Sequence, residues 1–386
     1  MQDRATIVFV LSYACPLKCS FCCSTREVVG TKRMTAARLL EHMQRFGVES
    51  SVERFCFVGG EPFLYLDDIK DAVAKARQFG IRQPFHIVTS ANWVENTAQT
   101  RKVMTDLHGL GMDLLGLSYD HEHAKWVSVD QIRTVCEVAA ELSIKINLNG
   151  VFWHEDQSID DLLPTSELPG EVRVKEYLVV PAGRAKRTSA WPRRYEIPEE
   201  TKYTCGQPGS YQVSIYPDGE VYPCCSGGMN IDAKLSCGNT NRDGTSKILR
   251  NVFTNFHARM AKEFGWGTLF EFIKREAPEL ASKLPRFEDI DSACEMCRDL
   301  NVTWANELMP LYEKFEIEYV RNRAESDWMA FARSEGPEEK RSVGNLFVSL
   351  EELTALLATD SEMRADYLAG ALQIGSAEKR TLERVN

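Results

Sequence analysis

The most informative segment of the chain is Cys15-Pro16-Leu17-Lys18-Cys19-Ser20-Phe21-Cys22, which directly follows an apolar run that predicts a first β-strand, Thr6 to Leu11. Its three thiols are spaced at i, i+4 and i+7. Three thiolates from one short loop can hold three irons of a cubane cluster and leave the fourth iron open to a ligand. A structural zinc site needs a fourth ligand close by. The adjacent Cys23 fits that role poorly, because consecutive side chains tend to point apart.

Short apolar runs alternate with amphipathic stretches through the first half of the chain, which predicts repeated strand-helix units and a parallel sheet. One helix is expected to open at Thr35 as N-cap, and another to run from Asp130 to Leu142. The six predicted strands are Thr6 to Leu11, Arg54 to Val58, Pro84 to Val88, Leu114 to Ser118, Ile144 to Leu148 and Val172 to Val180.

Composition narrows the class of protein. The 386 residues predict two or three compact units, and a formal net charge of −10 argues against binding to nucleic acid or to anionic lipid. Neither a signal peptide nor an apolar run of about eighteen residues is present, so we expect a cytoplasmic protein without a membrane partner. Twelve cysteines in a reducing compartment favour metal ligation over disulfides.

The sequence pattern changes after Pro181. Several prolines are spaced through the next stretch. Alternation of apolar and polar residues on both sides of Pro217-Asp218-Gly219 predicts a hairpin with a tight turn. Helical periodicity returns from Ile248 onward. We therefore predict a core domain at 1–185, a small cysteine-rich hairpin-plus-helix domain at 186–310 and a helical extension at 311–386.

The three-cysteine loop resembles the signature of the radical S-adenosylmethionine (radical SAM) superfamily, in which an aromatic residue such as Phe21 usually precedes the last cysteine. The resemblance implies an α/β fold with a partial (β/α)6 TIM-like barrel, and a [4Fe-4S] cluster on Cys15, Cys19 and Cys22 that chelates SAM. It also implies that the segment Gly59-Gly60-Glu61 binds the amino group of SAM. The alternative is a plain strand-to-helix turn. By the same resemblance the further cofactor contacts are Ser90, Ser118 and Asn149.

A second set of cysteines, Cys205, Cys224, Cys294 and Cys297, can converge on one cubane or one zinc ion. Its spacing resembles the twitch domain, the shortened relative of the SPASM domain. Cys225 and Cys237 are alternative candidates for the ligand roles of these four cysteines. A full SPASM domain needs further cysteines after Cys297, and the sequence has none, so the resemblance implies one auxiliary iron-sulfur cluster of the [4Fe-4S] type.

The resemblance implies reductive cleavage of SAM to a 5'-deoxyadenosyl radical that abstracts a substrate hydrogen atom. The favoured substrate is a ribosomally made peptide, which would be crosslinked, oxidised or epimerised. The core begins almost at Met1, which weakens this hypothesis unless a separate protein binds the leader. The alternatives are a dehydrogenase or epimerase of a sugar or aminocyclitol, and a non-catalytic zinc or iron-sulfur module. We expect flavodoxin or ferredoxin as electron donor, and the candidate hydrogen donors are Cys23 and Cys225.

Overall fold

The computed structural model describes residues 3–23, 32–154, 156–179, 183–185, 209–224, 235–286, 296–297, 299–335, 339–344, 346–368, 372 and 374–375. Six parallel strands form the first part of the main sheet and lie beside one another in chain order. They are β1 (Arg4–Val10), β2 (Val52–Val58), β3 (Phe85–Thr89), β4 (Met112–Ser118), β5 (Lys145–Phe152) and β6 (Val172–Leu178). All six predicted strands are therefore confirmed, and with them the α/β fold class.

Helices connect the first five strands. They are α1 (Ala36–Phe46), α2 (Leu66–Gln78), α3 (Thr97–Gly109) and α4 (Val129–Glu141), while a 3-10 turn, Thr165–Glu167, lies between β5 and β6. Thr35 caps α1 by accepting a hydrogen bond from the N–H of Arg38, as predicted. Ser128 and Gln131 form a capping box at α4.

The predicted hairpin continues the same sheet on the other side of β1. Its strands are β7 (Ser210–Ile215), which runs parallel to β1, and β8 (Glu220–Tyr222) with β9 (Gly238–Asn239), which are antiparallel. The main sheet thus has nine strands in the order β6-β5-β4-β3-β2-β1-β7-β8-β9. Through this pairing the cysteine-rich hairpin lies next to the strand that leads into the three-cysteine loop.

The rest of the described chain is mostly helical. It comprises α5 (Thr245–Phe253), α6 (Phe256–Arg259), α7 (Trp266–Glu276), α8 (Pro278–Ala281), α9 (Ala305–Glu335), α10 (Leu350–Thr359) and α11 (Ser361–Leu368). A small antiparallel sheet that the sequence did not indicate joins them, with β10 (Lys340–Val343) between β11 (Leu346–Ser349) and β12 (Ile374–Gly375).

Two large hydrophobic cores form among the described residues. The larger core lies between the main sheet and the helices that cover it, and includes Phe9, Phe55 and Phe57. Strands of a parallel sheet are apolar on both faces because helices or side chains cover both. The second core gathers the aromatic side chains of α7 and α9, including Trp266 and Phe315.

Candidate functional site

The three-cysteine loop leaves the carboxyl end of β1. The N–H of Cys22 donates a hydrogen bond to the carbonyl of Cys19 at 3.3 Å, which closes a turn at the end of the motif. Within the loop, Leu17 and Cys19 are buried, whereas Cys15 is exposed. The buried, apolar side chain of Leu17 thus anchors the loop that carries all three thiols to the rest of the protein.

The donor chemistry of the loop fits an iron-sulfur cluster. Loss of surrounding water, with smaller contributions from the charges of Glu61, Cys19 and Cys22, raises the pKa of Cys15 to about 11. Negative charge on the neighbouring thiolates thus acts to raise the pKa of Cys15, and a bound cation would oppose that effect. Within the described part of the chain, no three Cys, His, Asp or Glu side chains gather closely enough to hold a single metal ion. A cubane differs in that each thiolate binds its own iron.

Gly59 and Gly60 pack directly against this loop. The N–H of Gly60 donates to the carbonyl of Ser12 at 2.8 Å, and the N–H of Glu61 donates to the carbonyl of Ala14 at 2.9 Å. A Cβ atom on Gly60 would lie 2.1 Å from the oxygen of Ala14. On Gly59, whose φ is +148°, it would lie 2.4 Å from the oxygen of Ser12. The two glycines are therefore required by the backbone contact that joins the end of β2 to the cysteine loop.

The buried Glu61 carboxylate ties the end of β2 to the end of β3. One oxygen accepts from the hydroxyl of Thr89 at 2.7 Å and from the N–H of Phe63 at 3.1 Å. The other accepts from the hydroxyl and N–H of Ser90, at 2.6 and 2.9 Å. A carboxylate has about four acceptor positions. A bound ammonium group would therefore share an oxygen with these donors or displace one of them.

The other predicted cofactor contacts follow neighbouring strands on the same edge of the sheet. Ser118 at the end of β4 is in register with Asn149 of β5. The Asn149 side-chain amide donates to the carbonyl of Asn147 at 3.0 Å. Ala91, directly after Ser90, has φ +63°, which is uncommon for a residue other than glycine. Hydroxyl and amide groups thus collect at the carboxyl edge of β3, β4 and β5.

The turn that follows β4 contacts the cysteine loop from the side. Oε2 of Glu122 accepts a hydrogen bond from the N–H of Ser20 at 2.9 Å. The rings of His123 and Phe21 lie 5.9 Å apart. Burial alone would lower the pKa of His123, but its hydrogen bonds and charge interactions with Asp120 and Cys19 outweigh burial and raise it to about 10.

Asp120, Glu122 and His123 were not among the predicted site residues. Two observations in the sequence point to them: Asp120 and His123 come just after a predicted strand end, and acidic residues alternate with histidine there. Neither shows that this turn contacts a loop about a hundred residues earlier.

A further contact reaches the cysteine loop from residues 183–185. The N–H of Arg184 donates to the carbonyl of Cys22 at 3.0 Å, and its guanidinium donates to the carbonyl of Cys19 at 3.2 Å. At Gly183, where φ is +60°, a Cβ atom would lie 2.4 Å from the oxygen of Cys22. This short segment therefore packs onto the backbone of the cysteine loop.

The auxiliary site falls partly within the described residues. Cys224 follows β8 and accepts a hydrogen bond at its carbonyl from the hydroxyl of Ser214 at 3.0 Å. The amide of Asn301 lies 3.3 Å from Sγ of Cys297. Burial raises the pKa of Cys237 to about 12, and its thiol donates to the carbonyl of Leu235. The remaining predicted residues, Cys205, Cys225 and Cys294, lie outside the described residues.

Three neighbouring tyrosine rings, in tilted and edge-on contact, lie between the two cysteine regions. Tyr13, two residues before Cys15, lies 6.2 Å from Tyr216, and Tyr216 lies 5.0 Å from Tyr222. Tyr222 comes two residues before Cys224. All distances are between ring centroids.

Comparison with known protein families agrees with this geometry. Residues 9–163 match the model of the radical SAM superfamily, and residues 205–267 match the model of SPASM, an iron-sulfur cluster-binding domain. The chain belongs to the radical SAM superfamily. It is therefore a radical SAM enzyme, with domains that bind SAM and iron-sulfur clusters, and the predicted family is confirmed. Among the described residues, none of the helices has the length and apolar character that crossing a bilayer requires.

Individual proteins similar to this radical SAM enzyme are distant in sequence. A putative peptide biosynthesis protein of Bacillus subtilis, YydG, is 21% identical over 319 residues, which cover 80% of this chain and 97% of that protein. The solved structure of BtrN in complex with AdoMet and 2-DOIA is 17% identical, with a TM-score of 0.41 over 68% of this chain and 89% of that one. Streptococcus suis SuiB bound to the precursor peptide SuiA is 14% identical, with a TM-score of 0.42 over 76% of both chains.

Proposed function

We propose that this radical SAM enzyme modifies a ribosomally made peptide, by crosslinking, oxidation or epimerisation, with a SAM-chelating [4Fe-4S] cluster on Cys15, Cys19 and Cys22. The observation that carries the proposal is the backbone contact between the cysteine loop and Gly59-Gly60 at the carboxyl edge of the parallel sheet. When bound, the cluster supplies the electron that cleaves SAM to a 5'-deoxyadenosyl radical, and that radical takes a hydrogen atom from the substrate.

The surrounding residues support a role in holding SAM. Ser90 and Ser118 present hydroxyl groups where β3 and β4 end, and the amide of Asn149 in β5 is in register with Ser118. Ligands of parallel sheets commonly bind at this edge. Gly59, Gly60 and Glu61 lie against the loop that would carry the cluster, and the ring of Phe21 in that loop lies 5.9 Å from the ring of His123. Backbone and side-chain groups from four strand ends would thus orient SAM over the loop.

Support for a peptide substrate comes from the Bacillus subtilis relative. That protein is described as a putative peptide biosynthesis protein, and the alignment extends over 97% of its length.

The second cysteine region is proposed to hold one auxiliary [4Fe-4S] cluster on Cys205, Cys224, Cys294 and Cys297, in a domain spanning 186–310 between the 1–185 core and the 311–386 extension. Tyr13 and Tyr216 lie between this region and the first loop and would separate the two clusters. Flavodoxin or ferredoxin is the proposed electron donor. Cys23 and Cys225 are the proposed hydrogen donors if the outcome is epimerisation.

Cys19→Ala tests the cluster assignment, with Cys136→Ala as matched control because Cys136 is also buried but lies on α4 among core side chains. After anaerobic reconstitution, Cys19→Ala should lose about four irons per chain and all formation of 5'-deoxyadenosine, while Cys136→Ala keeps both. Equal iron content in the two variants would refute the assignment of the first cluster.

The substrate class is tested with any short peptide that is encoded beside the gene, and with a panel of sugars and aminocyclitols. The wild-type enzyme should consume SAM and convert one of them, with loss of two hydrogens for a crosslink or oxidation, or with solvent deuterium incorporated at one carbon for an epimerisation. Turnover of sugars or aminocyclitols but of no peptide would overturn the peptide assignment and leave the cluster assignment intact.

A further inference from the structure

A wide helical turn, Asp299–Thr303, leads into α9. The N–H of Trp304 donates to the carbonyl of Asp299 at 2.9 Å, and this spacing of five residues is that of a π-helix. Leu300 is fully buried in the second core, and its carbonyl accepts a hydrogen bond from the hydroxyl of Tyr312 on α9 at 3.0 Å. The turn is therefore fixed against α9. Single π-helical turns of this kind are frequent at functional sites.

The same turn places the side chain of Asn301 against the sulfur of Cys297, four positions earlier. The amide nitrogen of Asn301 lies 3.3 Å from Sγ of Cys297, within hydrogen-bond distance of sulfur. Asn301 is only 8% exposed, and within the described part of the chain its buried amide oxygen has no hydrogen-bond partner. Because the oxygen makes no hydrogen bond there, it does not determine how the amide is oriented. The contact between nitrogen and sulfur accounts for that orientation.

This contact suits a cysteine whose sulfur is bound to iron. Such a sulfur offers only lone pairs, and an amide nitrogen offers hydrogen atoms to them. The amide is neutral and does not titrate, so the hydrogen bond depends on no proton uptake by Asn301. Hydrogen bonds to ligating sulfur are among the means by which a protein sets the reduction potential of a cluster, because they stabilise the more negative, reduced state.

We propose that Asn301 donates a hydrogen bond to the sulfur of Cys297 and thereby raises the reduction potential of the auxiliary cluster held there. Asn301 is a positioning residue in this role, because it acts on the cluster through Cys297. The inference rests on the proposed function, in which Cys297 is one of the ligands of the auxiliary cluster.

Four variants separate this role from a packing role. Asn301→Leu removes the donor at similar side-chain volume, Asn301→Ala removes both donor and volume, and Asn301→Gln keeps an amide donor. Thr303→Val is the matched control, because Thr303 is exposed on the same turn and its hydroxyl donates only to the carboxylate of Asp299, at 3.4 Å, among the described residues. Valine has nearly the shape of threonine, so this control also exchanges a polar group for an apolar one.

The reduction potential of the auxiliary cluster is measured in each full-length chain by EPR-monitored redox titration after anaerobic reconstitution. Its signal is identified as the one that Cys297→Ala removes and Cys22→Ala leaves. At a fixed ambient potential, the ratio of reduced to oxidised cluster should fall about tenfold in Asn301→Leu and Asn301→Ala, which corresponds to about 59 mV for a one-electron couple. Asn301→Gln should retain most of the wild-type ratio, and Thr303→Val all of it.

A wild-type potential in Asn301→Leu or Asn301→Ala, at the iron content of Thr303→Val, would overturn the proposal. Loss of the auxiliary cluster in all three Asn301 variants would also overturn it, since a packing role explains that result. A wild-type chain without the Cys297-dependent signal would refute the auxiliary cluster, and this inference with it, while the first cluster and the peptide assignment would stand.

Discussion

Gly60 shows at the scale of one residue how closely the two parts of the site are packed. A Cβ atom there would lie 2.1 Å from a backbone oxygen of the cysteine loop, and backbone cannot rotate away as a side chain can. We expect Gly60→Ala to destabilise the protein by about 1–3 kcal/mol and to lower its iron content, because the loop must shift. Urea unfolding and iron analysis measure the two effects.

The control for Gly60 is Gly109, the last residue of α3, where a Cβ atom would meet nothing within 4 Å. Gly109→Ala should stabilise the protein by about 0.5–1 kcal/mol, because alanine loses less conformational entropy in a helix. If Gly60→Ala lowers the free energy of unfolding and Gly109→Ala raises it, then contact with the cysteine loop, rather than the loss of a glycine, destabilises Gly60→Ala. A change in the free energy of unfolding in the same direction in both variants would contradict this explanation.

His42 gives the fold a dependence on pH. It is fully buried on α1, stacks on Phe9 at 6.3 Å between ring centroids, and neither of its ring nitrogens has a hydrogen-bond partner. Burial, with smaller contributions from Arg38 and Arg45, lowers its pKa from 6.5 to about 3. Between these two values the unfolded chain binds a proton that the native chain does not, so stability falls as the pH drops below 6.5.

We therefore expect His42→Leu to weaken the loss of stability on acidification. Each pH unit between 6.5 and 3 should cost the wild type about 1.4 kcal/mol at this position, and the variant nothing there. The partly buried His86 and His257 also have lowered pKa values, about 4 in each case, and contribute the same loss of stability on acidification to the wild type and to the variant. Urea unfolding at pH 7.5 and 5.5, at matched iron loading, measures the free energy of unfolding of the wild type and of His42→Leu. Identical pH dependence in the two proteins would refute this account of His42.

At the scale of elements, the sequence predicted what local pattern determines. The strand predicted at Thr6 to Leu11 is observed at Arg4–Val10, and the buried stripe of α4 contains the predicted Ile132, Val135, Cys136 and Ala139. Apolar periodicity and capping residues act over a few positions, so one sequence suffices to find them. The same holds for the cysteine loop, whose ligand candidates are close in sequence.

Contacts between distant segments could not be predicted in this way. The parallel pairing of β7 with β1 joins strands about two hundred residues apart, and nothing in either strand specifies its neighbour. The hydrogen bond between Glu122 and Ser20 spans 102 positions. The ligand roles of Cys205, Cys224, Cys294 and Cys297 and the cofactor roles of Ser90, Ser118 and Asn149 likewise remain predictions.

The attachment of α1 to the hairpin is one such distant contact, and it is testable. The Arg45 guanidinium donates to the carbonyl of Thr240 at 2.6 Å and to that of Asp243 at 2.8 Å. Arg45→Leu leaves these partly buried carbonyls without their donor, which should cost about 1–3 kcal/mol. Hydrogen exchange should quicken in β9 and the start of α5. Arg101→Leu removes only an exposed ion pair with Glu141 and should change exchange nowhere in that region. Similar exchange in both variants would refute the role of Arg45.

At the scale of the whole molecule, Arg259 links the main sheet to the C-terminal helices. It is fully buried, and its guanidinium donates to the carbonyls of Phe253 at 2.9 Å and Leu368 at 2.6 Å. It also lies 3.5 Å from the carboxylate of Asp3 and pairs with Glu263. One side chain thus joins residues that precede β1, end α5 and end α11.

Arg259→Met should therefore destabilise the protein by about 3–5 kcal/mol, because it leaves two acidic side chains and two carbonyls without their buried partner. The larger effect should be on cooperativity: the C-terminal helices should unfold before the main sheet, so that tryptophan fluorescence and far-UV circular dichroism give separate transitions in urea. Arg250→Met removes an ion pair with Asp366 whose side chains are 44% and 37% exposed, and should cost less than about 1 kcal/mol. A single shared transition in Arg259→Met, at the midpoint of Arg250→Met, would show that the two cores are joined by their other contacts.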